Sequence, residues 1–293
     1  MTFRSGFIAV VGRPNTGKST LVNALVGQKV AIVSDKPQTT RADIRAILST
    51  EDAQVVFTDT PGFHKPRTLL GSRLNEMVGE ATEGVDAVVL VVDAKAGIGR
   101  GDAFVYQRQL AKLPCPRLCA VNKVDLLKGR AQIPQLQAAA GLGDFDEIVP
   151  VSAKTGEGVG VLLDLLLARM PEGPAYFPAE EVTDQSLEVR LGELVREQAL
   201  RRAREELPHS IAVVVDEMED EGDLTRIHAT IVVERDSQKG IVIGKGGAML
   251  RDIGTGARAE IEALLGTRVF LDLHVKVLKE WQRDPKALNR LGF

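Results

Sequence analysis

The most constraining feature of the sequence is a glycine-rich loop between an apolar run and a helix-compatible stretch. The run Phe-Ile-Ala-Val-Val at 7–11 ends at Gly12, and residues 12–19 read Gly-Arg-Pro-Asn-Thr-Gly-Lys-Ser. The stretch Ser19–Val26 follows and is compatible with a helix. This is the strand–loop–helix context of the Walker A motif, which makes a chance glycine-rich turn a poor explanation. The loop therefore predicts a phosphate site in an α/β fold.

Four further apolar runs each end at a polar residue. Residues 55–58 end at Asp59, 85–92 at Asp93, 118–121 at Asn122 and 148–151 at Ser152. Runs that are apolar on both faces are typical of strands buried in a parallel sheet. Helix-compatible stretches such as Ala103–Lys112 lie between them. The pattern predicts an open, mostly parallel sheet with helices on both faces and a ligand at the carboxyl ends of the strands.

The loop residues have separate expected roles. Backbone N–H groups and the helix N-terminus converge on phosphate oxygens. Lys18 places a charge near the β and γ phosphates and is expected to act in catalysis. The Ser19 hydroxyl is a hard oxygen ligand suited to Mg²⁺. The nucleotide-contacting residues predicted in this loop are Gly12, Arg13, Pro14, Asn15, Thr16, Gly17, Lys18, Ser19 and Thr20.

Three later motifs choose among nucleotides. Asp59-Thr-Pro-Gly62 supplies an acid for the Mg²⁺ shell and an N–H at Gly62 that could sense a γ-phosphate. In Asn122-Lys123-Val-Asp125, the Asp125 carboxylate can accept from N1–H and the 2-amino group of guanine. Adenine lacks that donor pair, and rejection in comparable polar pockets is about 10⁴-fold. The motif Ser152-Ala153-Lys154 would place a backbone N–H near the guanine O6.

These four motifs in this order resemble the G1, G3, G4 and G5 boxes of translation-factor-class GTPases. The segment Pro37-Gln-Thr-Thr-Arg41 looks like the switch I box of the bacterial Era family. The resemblance implies GTP and GDP as ligands, with one threonine binding Mg²⁺ only in the GTP state. Thr40 is favoured and Thr39 is the alternative. Ser19, Thr40 and Asp59 are then the Mg²⁺ ligands, and Lys18, Thr40 and Gly62 the catalytic residues.

One position departs from the Ras-like pattern. Phe63 follows Gly62 where a water-orienting glutamine would stand, and a phenyl ring cannot orient water by hydrogen bonding. The Era family is similar in this respect. Hydrolysis is therefore expected to be slow. Asn15 matches the P-loop asparagine that binds K⁺ in some related GTPases, so K⁺ use is left open. His64 is interpreted as a solvated loop residue.

The order of elements changes after a proline-rich stretch. Pro-Glu-Gly-Pro-Ala-Tyr-Phe-Pro at 171–178 cannot continue a helix and predicts a linker over 173–185. A charged helix over Leu187–Leu207 follows. Strands at Ile211–Val215 and Ile227–Val233 are expected on either side of an acidic turn around Glu217–Asp223. Together with the last strand, Arg268–Leu278, they predict a smaller α+β domain.

The sequence Val242-Ile-Gly-Lys-Gly-Gly-Ala-Met-Leu250 contains Gly-x-x-Gly at 244–247. In KH domains such a loop clamps single-stranded RNA. The domain is not basic, with 17 basic and 19 acidic residues from 186 to 293, so a solvated face is the alternative reading. Basic residues gather locally around the loop. The predicted RNA-binding residues are Arg235, Lys239, Gly244, Lys245, Gly246, Gly247 and Arg251.

This element order resembles a type II KH domain, and a GTPase domain followed by such a domain is the Era architecture. Glu280-Trp281 and the segment 286–293 also look like the end of Era proteins. The expected domains are a GTPase domain at 1–172, the linker at 173–185, the KH domain at 186–281 and a tail at 282–293. The resemblance implies binding near the 3′ end of 16S ribosomal RNA, a role in maturation of the 30S subunit, a monomer, and loose association with the inner membrane.

Composition bounds these expectations. A net charge of −3 excludes a whole-chain basic signal for nucleic acid. Cys115 and Cys119 are interpreted as small apolar residues near a buried strand, because a metal site or disulfide framework needs more ligands or cysteines. No apolar run approaches the length of a membrane span and no signal peptide is evident, so the chain is expected in the cytoplasm.

Two other functions are weighed. Phe63 keeps open a constitutive RNA-binding module whose nucleotide is only structural. A P-loop ATPase or kinase is the third alternative, and Asn122–Asp125 argues against it because that motif matches guanine.

Overall fold

The five apolar runs become strands of one sheet in the computed structural model, which describes residues 2–36, 39–63, 66, 68–202 and 210–293. Within these ranges the sheet has six strands in the order β2-β3-β1-β4-β5-β6, and only β2 is antiparallel to its neighbour. The mostly parallel sheet is therefore confirmed. The strands are β1 (Arg4–Val11), β2 (Ile44–Ser49), β3 (Ala53–Asp59), β4 (Ala87–Asp93), β5 (Arg117–Asn122) and β6 (Glu147–Pro150).

Helices cover both faces of this sheet. In β1, Ile8 and Val10 belong to one apolar cluster, whereas Ala9 and Val11 belong to another. Successive side chains of a strand point to opposite faces, so the sheet lies between two apolar layers. The helices are α1 (Lys18–Val26), α2 (Leu69–Glu80), α3 (Arg100–Val105), α4 (Gln132–Ala140) and α5 (Val159–Leu167), and a π-helical turn continues α3 over Tyr106–Leu110.

The chain divides into two compact units. The first contains residues 1–31, 40–66 and 71–184, and the second contains 32–39, 67–70 and 185–293. The predicted linker is thus assigned almost entirely to the first unit. Gln54 in β3, whose side chain is 1% exposed, contributes three of the hydrogen bonds that hold it there. Its carbonyl oxygen accepts from Tyr176 N at 2.7 Å and Phe177 N at 2.9 Å, and its Nε2 donates to Phe177 O at 2.8 Å.

The second unit has the expected order of elements. Its elements are α6 (Leu187–Arg202), β7 (Ala212–Asp220), β8 (Leu224–Val233), α7 (Asp236–Ile243), α8 (Ala248–Leu265), β9 (Arg268–Val277) and α9 (Pro285–Arg290). β8 is the central strand, antiparallel to β7 and parallel to β9. The last part of the helix predicted over Leu187–Leu207 lies outside the described residues.

The acidic turn predicted around Glu217–Asp223 is wrong in its first half. Glu217 and Glu219 lie in β7 and pair with His228 and Arg226 of β8. A bulge between Val215 and Glu217 lets the strand continue into the acidic stretch. The turn is therefore confined to the residues between β7 and β8.

Two segments from the first half of the chain cluster with the second unit. Within 32–39, Val33 N donates to Glu197 Oε1 at 2.8 Å, and Thr39 O accepts from Arg196 of α6. Glu197 and Arg196 are 0% and 1% exposed. Buried charged groups fix geometry only when their partners are in place. This segment therefore depends on α6 for its position, which the sequence did not indicate.

The single tryptophan, Trp281, is completely buried in the second unit. Its ring stacks on Phe293 with centroids 5.7 Å apart, and its Nε1 donates to Ser210 O at 3.3 Å. The C-terminal segment therefore forms part of the core of this unit.

We predict that Gln54→Ala frees the segment around Tyr176. The substitution leaves two N–H groups and a carbonyl without their partner, which costs about 1–3 kcal/mol. Limited proteolysis should cut near residues 172–178 faster than in the wild type. Gln137→Ala, on the exposed side of α4, is the control. Equal cleavage rates in the two variants would contradict the role of Gln54.

Candidate nucleotide site and nucleic-acid interface

The glycine-rich loop leads directly into α1. Gly17 precedes the helix in the left-handed region, with φ of 93°, and a Cβ there would lie 2.4 Å from Asn122 Nδ2. Only glycine fits both conditions. Lys18 is the first helical residue and is 6% exposed. Its Nζ donates to Gly12 O at 3.2 Å and Arg13 O at 3.0 Å, and burial lowers its pKa to about 8 although Asp59 opposes the shift.

The loop after β3 docks on this phosphate loop. Thr60 Oγ1 donates to Val10 O at 2.9 Å, and Phe63 N donates to Gly12 O at 3.2 Å. Gly62 lies close to Pro14, since a Cβ added at Gly62 would lie only 2.7 Å from the Cα of Pro14. The predicted catalytic residue Gly62 is therefore held against the loop that contains Lys18.

Three predicted Mg²⁺ ligands come together. Ser19 Oγ lies 2.9 Å from Thr40 Oγ1, and Thr40 Oγ1 donates to Asp59 Oδ2 at 3.3 Å. Thr39 Oγ1 instead donates to Lys36 O at 2.7 Å. Asp59 Oδ1 is buried without a hydrogen-bond partner among the described residues. A carboxylate oxygen left unsatisfied beside two hydroxyls is a hard-oxygen donor set, which fits Mg²⁺.

Burial dominates the electrostatics of Asp59. Desolvation raises its pKa to about 6, against the opposing effects of hydrogen bonds from Ser19 and Thr40 and the charge of Lys18. The carboxylate is therefore costly to ionise without a cation. A divalent cation beside Asp59 would remove this cost, so the arrangement favours metal binding at neutral pH.

Asn122 connects three loops at the carboxyl edge of the sheet. Its Nδ2 donates to Thr16 O at 2.9 Å, and its Oδ1 accepts from Lys123 N at 2.8 Å and Ala153 N at 3.0 Å. Ser152 Oγ donates to Asp125 Oδ1 at 2.7 Å. The structure thus brings the predicted base-binding motifs together, with Asp125 itself exposed at the rim.

A second set of contacts was not predicted. Lys123 Nζ donates to Asn15 O and to Asp93 Oδ2, both at 2.6 Å. Arg13 Nε donates to Asp102 Oδ1 at 2.7 Å, where Asp102 is 1% exposed. These side chains brace the phosphate loop from its flanks. Of the two acids, Asp93 and Asp102, the sequence pointed only to Asp93, because it ends the apolar run at 85–92.

Phe63 packs against an aromatic ring and leaves no polar side chain at its position. Its ring centroid lies 5.7 Å from that of Phe104, and it joins the apolar cluster on one face of the sheet.

Thr20 is half-buried in α1, and Lys154 is exposed. Pro37, Gln38 and His64 lie outside the described residues. The cysteines are free, and burial raises the pKa of Cys119 in β5 to about 12.

The Gly-x-x-Gly loop connects α7 to α8. Gly244, Gly246 and Gly247 have φ values of 71°, 60° and 77°, and Lys245 is exposed. Beside the loop lies a groove of about 360 Å³ between α8 and β9. Its lining contains the predicted residues Gly247 and Arg251 and six that were missed: Leu250, Gly254, Thr255, Arg258, Leu271 and Leu273. The seven-residue spacing of Arg251 and Arg258 could have indicated one helix face.

The structure separates the predicted RNA-binding residues. Arg235 caps the start of α7, whereas Gly244 follows its end. Eight helical residues span about 12 Å, so Arg235 lies away from the loop. It lines another cavity of about 400 Å³ with Lys279 and Arg283. Lys239 lies between these ends and is half-buried.

Comparison with known proteins gives the family. A model described as 50S ribosome-binding GTPase matches residues 7–123, and one described as KH domain matches residues 206–282. GTPase Era of Mycolicibacterium smegmatis is 55% identical over 296 residues, covering 99% of both chains. This chain belongs to the Era family of GTPases. GTPase Era of Mycobacterium avium is 56% identical, with the same coverage.

Two solved structures of Era match nearly the whole chain. One is a complex with MgGDPNP and nucleotides 1506–1542 of 16S ribosomal RNA, and the other is a tyrosine-to-alanine variant from Aquifex aeolicus bound to GDP and AlF4⁻. Each has a TM-score of 0.96 and 36% identity, covering 99% of both chains. The fold, the KH domain and the guanine nucleotide with Mg²⁺ are therefore confirmed, and this chain is a GTPase. Among the described residues, no helix is long and apolar enough to cross a bilayer.

We predict a pH-dependent stability that depends on Asp43, just before β2. Burial raises its pKa from 3.8 to about 7, with repulsion from Glu80 and Asp59 and opposition from Arg45. Between about pH 4 and pH 7 the folded state keeps a proton on Asp43 that the unfolded chain releases. The free energy of unfolding therefore falls as the pH rises through this range, and Asp43 causes no further change above it. Asp43→Asn should make this fall shallower and end it near pH 6, where the raised pKa of Asp59 still acts, and should stabilise the unit by about 1–2 kcal/mol at pH 8, after discounting for solvent.

Hydrogen exchange of β1 and β3 amides without nucleotide measures this effect. Asp52→Asn is the control, because Asp52 is exposed in the neighbouring turn. A pH profile that is the same in Asp43→Asn and the wild type would show that another group causes the fall.

Proposed function

We propose that this GTPase binds the 3′ end of 16S ribosomal RNA through its KH domain and acts in maturation of the 30S subunit, with the bound nucleotide controlling RNA engagement. The observation that carries the proposal is the joint match, over 99% of both chains, to an Era complex that holds both MgGDPNP and 16S RNA. The family model described as 50S ribosome-binding GTPase matches only residues 7–123. The full-length match is more specific, so it favours the small subunit.

The groove beside Gly244–Gly247 supports RNA binding by this chain. Lys245 and Arg251 can meet phosphates, and the glycines allow close approach of the RNA backbone. Leu250, Leu271 and Leu273 give the groove an apolar floor on which bases can lie. Arg258 extends the basic edge of the same helix face.

Control by nucleotide is supported by chain continuity at Thr40. Thr40 contacts Ser19 and Asp59, so its position depends on Mg²⁺ and the γ-phosphate. The preceding residue, Thr39, is held by Arg196 of α6 within the second unit. When GTP orders Thr40, the backbone of the adjacent Thr39, which is bonded to Arg196 of α6, changes position with it. Bound Mg²⁺ supplies charge neutralisation on the phosphates.

Slow hydrolysis follows from the residues around the phosphate loop. Phe63 packs on Phe104 and cannot orient water. Lys18, Gly62 and the loop N–H groups are then the stabilising groups for the transition state. Asn15 lies at the entrance of the loop in the left-handed region, with φ of 64°, and is the candidate K⁺ ligand.

We also propose that the protein acts in the cytoplasm as a monomer and associates weakly with the inner membrane. These properties are what membership in the Era family implies. Sedimentation and membrane fractionation of the full chain test them directly.

We predict that RNA affinity depends on the bound nucleotide. A fragment equal to nucleotides 1506–1542 should bind the GDPNP form more tightly than the GDP form in fluorescence anisotropy. Lys18→Ala should weaken nucleotide binding by about 30-fold or more, since a buried charge partner is lost, and should abolish the difference. Gly246→Asp should weaken RNA binding by about tenfold through repulsion of phosphate and leave turnover intact.

Gly266→Asp is the matched control, because Gly266 ends α8 with φ of 70° and nothing lies within 4 Å of its Cβ position. Equal RNA affinity in both nucleotide states would favour the alternative suggested by Phe63, a constitutive RNA-binding protein with a structural nucleotide. Unchanged binding by Gly246→Asp would contradict the proposed groove.

We predict that K⁺ stimulates turnover about tenfold or more over Na⁺, as an added transition-state charge would do. Asn15→Ala should lose the stimulation and keep the sodium rate. Steady-state phosphate release in matched chloride salts measures this effect. Fast turnover in sodium alone would contradict the cation hypothesis.

A further inference from the structure

The sheet of the second unit has two different faces. Alternate residues of β8 and β9 join the apolar core under the helices, among them Ile227, Ile231, Val269 and Leu273. Side chains of a strand alternate between faces, so the residues between them point the other way. On β9 these are Arg268, Phe270, Asp272, His274 and Lys276.

Aromatic and basic residues of this outer face form what we call the β9 stripe, defined as Arg268, Phe270, His274 and Lys276. All four are exposed, and Phe270 is 47% exposed. The Arg226 guanidinium of β8 lies 5.2 Å from the Phe270 ring centroid. Phe270 is thus held by a cation–π contact and keeps a large part of its ring open to solvent.

The β9 stripe and the groove beside the Gly-x-x-Gly loop lie on opposite faces of the same strand. Leu271 and Leu273 line the groove, and Phe270 and His274 are their neighbours in the strand. Among the described strands, β9 pairs only with β8, so its other edge is free of strand partners. A chain lying in the groove can therefore pass around this edge onto the stripe.

Charge restricts the path on the outer face. Arg268 and Lys276 supply cations on β9, with Asp272 between them. Arg226 of β8 is a further cation, and its Nε pairs with Glu221 Oε1 at 2.8 Å. Asp272 Oδ2 lies 3.2 Å from His228 Nδ1 and 3.6 Å from His274 Nδ1, so its charge is directed at the imidazoles. Glu217 and Glu219 gather on β7 at the opposite side. A polyanion would stay on β9 and avoid β7.

We propose that the β9 stripe is a second part of the RNA-binding surface, where single-stranded RNA leaving the groove stacks bases on Phe270 and His274. Stacking on exposed aromatic rings above a basic track is the usual chemistry of single-strand binding. Lys276 and Arg268 neutralise the phosphates that accompany the stacked bases. This inference rests on the proposed RNA-binding function and extends the site of contact beyond the groove.

The test compares two RNA lengths on the full-length protein. One oligonucleotide has about four nucleotides, the length that a KH loop clamps, and the other is about twice as long. Phe270→Ala should lower the affinity for the longer RNA by about 5- to 150-fold and leave the affinity for the shorter RNA unchanged. Phe270→Trp should retain binding, whereas Phe270→Leu should lose it, because leucine keeps apolar area without an aromatic ring.

Matched controls separate this inference from the proposed function. Tyr176→Ala removes an exposed ring from the first unit and should change neither affinity. Gly246→Asp should lower the affinity for both RNAs, because it places a negative charge beside the groove that both occupy. If Gly246→Asp weakens both and Phe270→Ala weakens neither, the stripe is not an RNA surface, and a protein partner for it is favoured. If Gly246→Asp has no effect, the proposed groove itself fails.

A second measurement checks the phosphate contacts. Lys276→Ala should reduce by about 1 the slope of log affinity against log salt for the longer RNA, with no change for the shorter one. An unchanged slope would overturn the proposed path along β9. Thermal unfolding and GTP turnover should stay at wild-type values in every stripe variant, since these side chains are exposed and outside the nucleotide site.

Discussion

The carboxamide of Asn122 holds the nucleotide site together, because it bonds to the loops that follow three different strands. Its Nδ2 donates to the carbonyl of Thr16 in the glycine-rich loop, and its Oδ1 accepts from the amides of Lys123 and Ala153 in the two motifs predicted to bind the base. This arrangement is available only where parallel strands end at one edge of a sheet. Phosphate recognition and base recognition therefore share one buried side chain, and neither can shift without the other.

Charge desolvation is the second constraint on this edge. Lys18 has a lowered pKa and Asp59 a raised one, both chiefly because of burial. Burial therefore makes the charged form of each group more costly than it is in water. Nucleotide and Mg²⁺ together complete the charge pattern, which explains how a stable fold can keep a reactive site ready. Phe63 adds no polar group to this edge and packs on Phe104 instead.

Patterns read from the sequence predicted the parts of the fold that repeat a period or follow a motif. The apolar runs predicted β1, β3, β4, β5 and β6, but β2 was missed because the exposed Arg45 interrupts its apolar residues. The linker prediction relied on its prolines. It could not anticipate the contacts with residues distant in sequence that hold the segment, among them the buried side chain of Gln54. The acidic stretch at Glu217 was taken as a turn because its bulge has no sequence signal. The nucleotide motifs could be predicted residue by residue, since each has a fixed place at a strand end, and the structure brings Ser19, Thr40 and Asp59 together. The bracing pairs Arg13–Asp102 and Lys123–Asp93 were not, because they join loops that only the folded sheet brings together.

The burial of Trp281 has an optical consequence. It is the only tryptophan of the chain, and it is enclosed in the second unit between Phe293 and the carbonyl of Ser210. Excitation of indole therefore reports on the RNA-binding half alone, while the half that holds the nucleotide is dark at that wavelength. The molecule has a built-in spectroscopic probe. Its emission can follow unfolding of the KH domain, or its response to a nucleotide bound elsewhere, without a label.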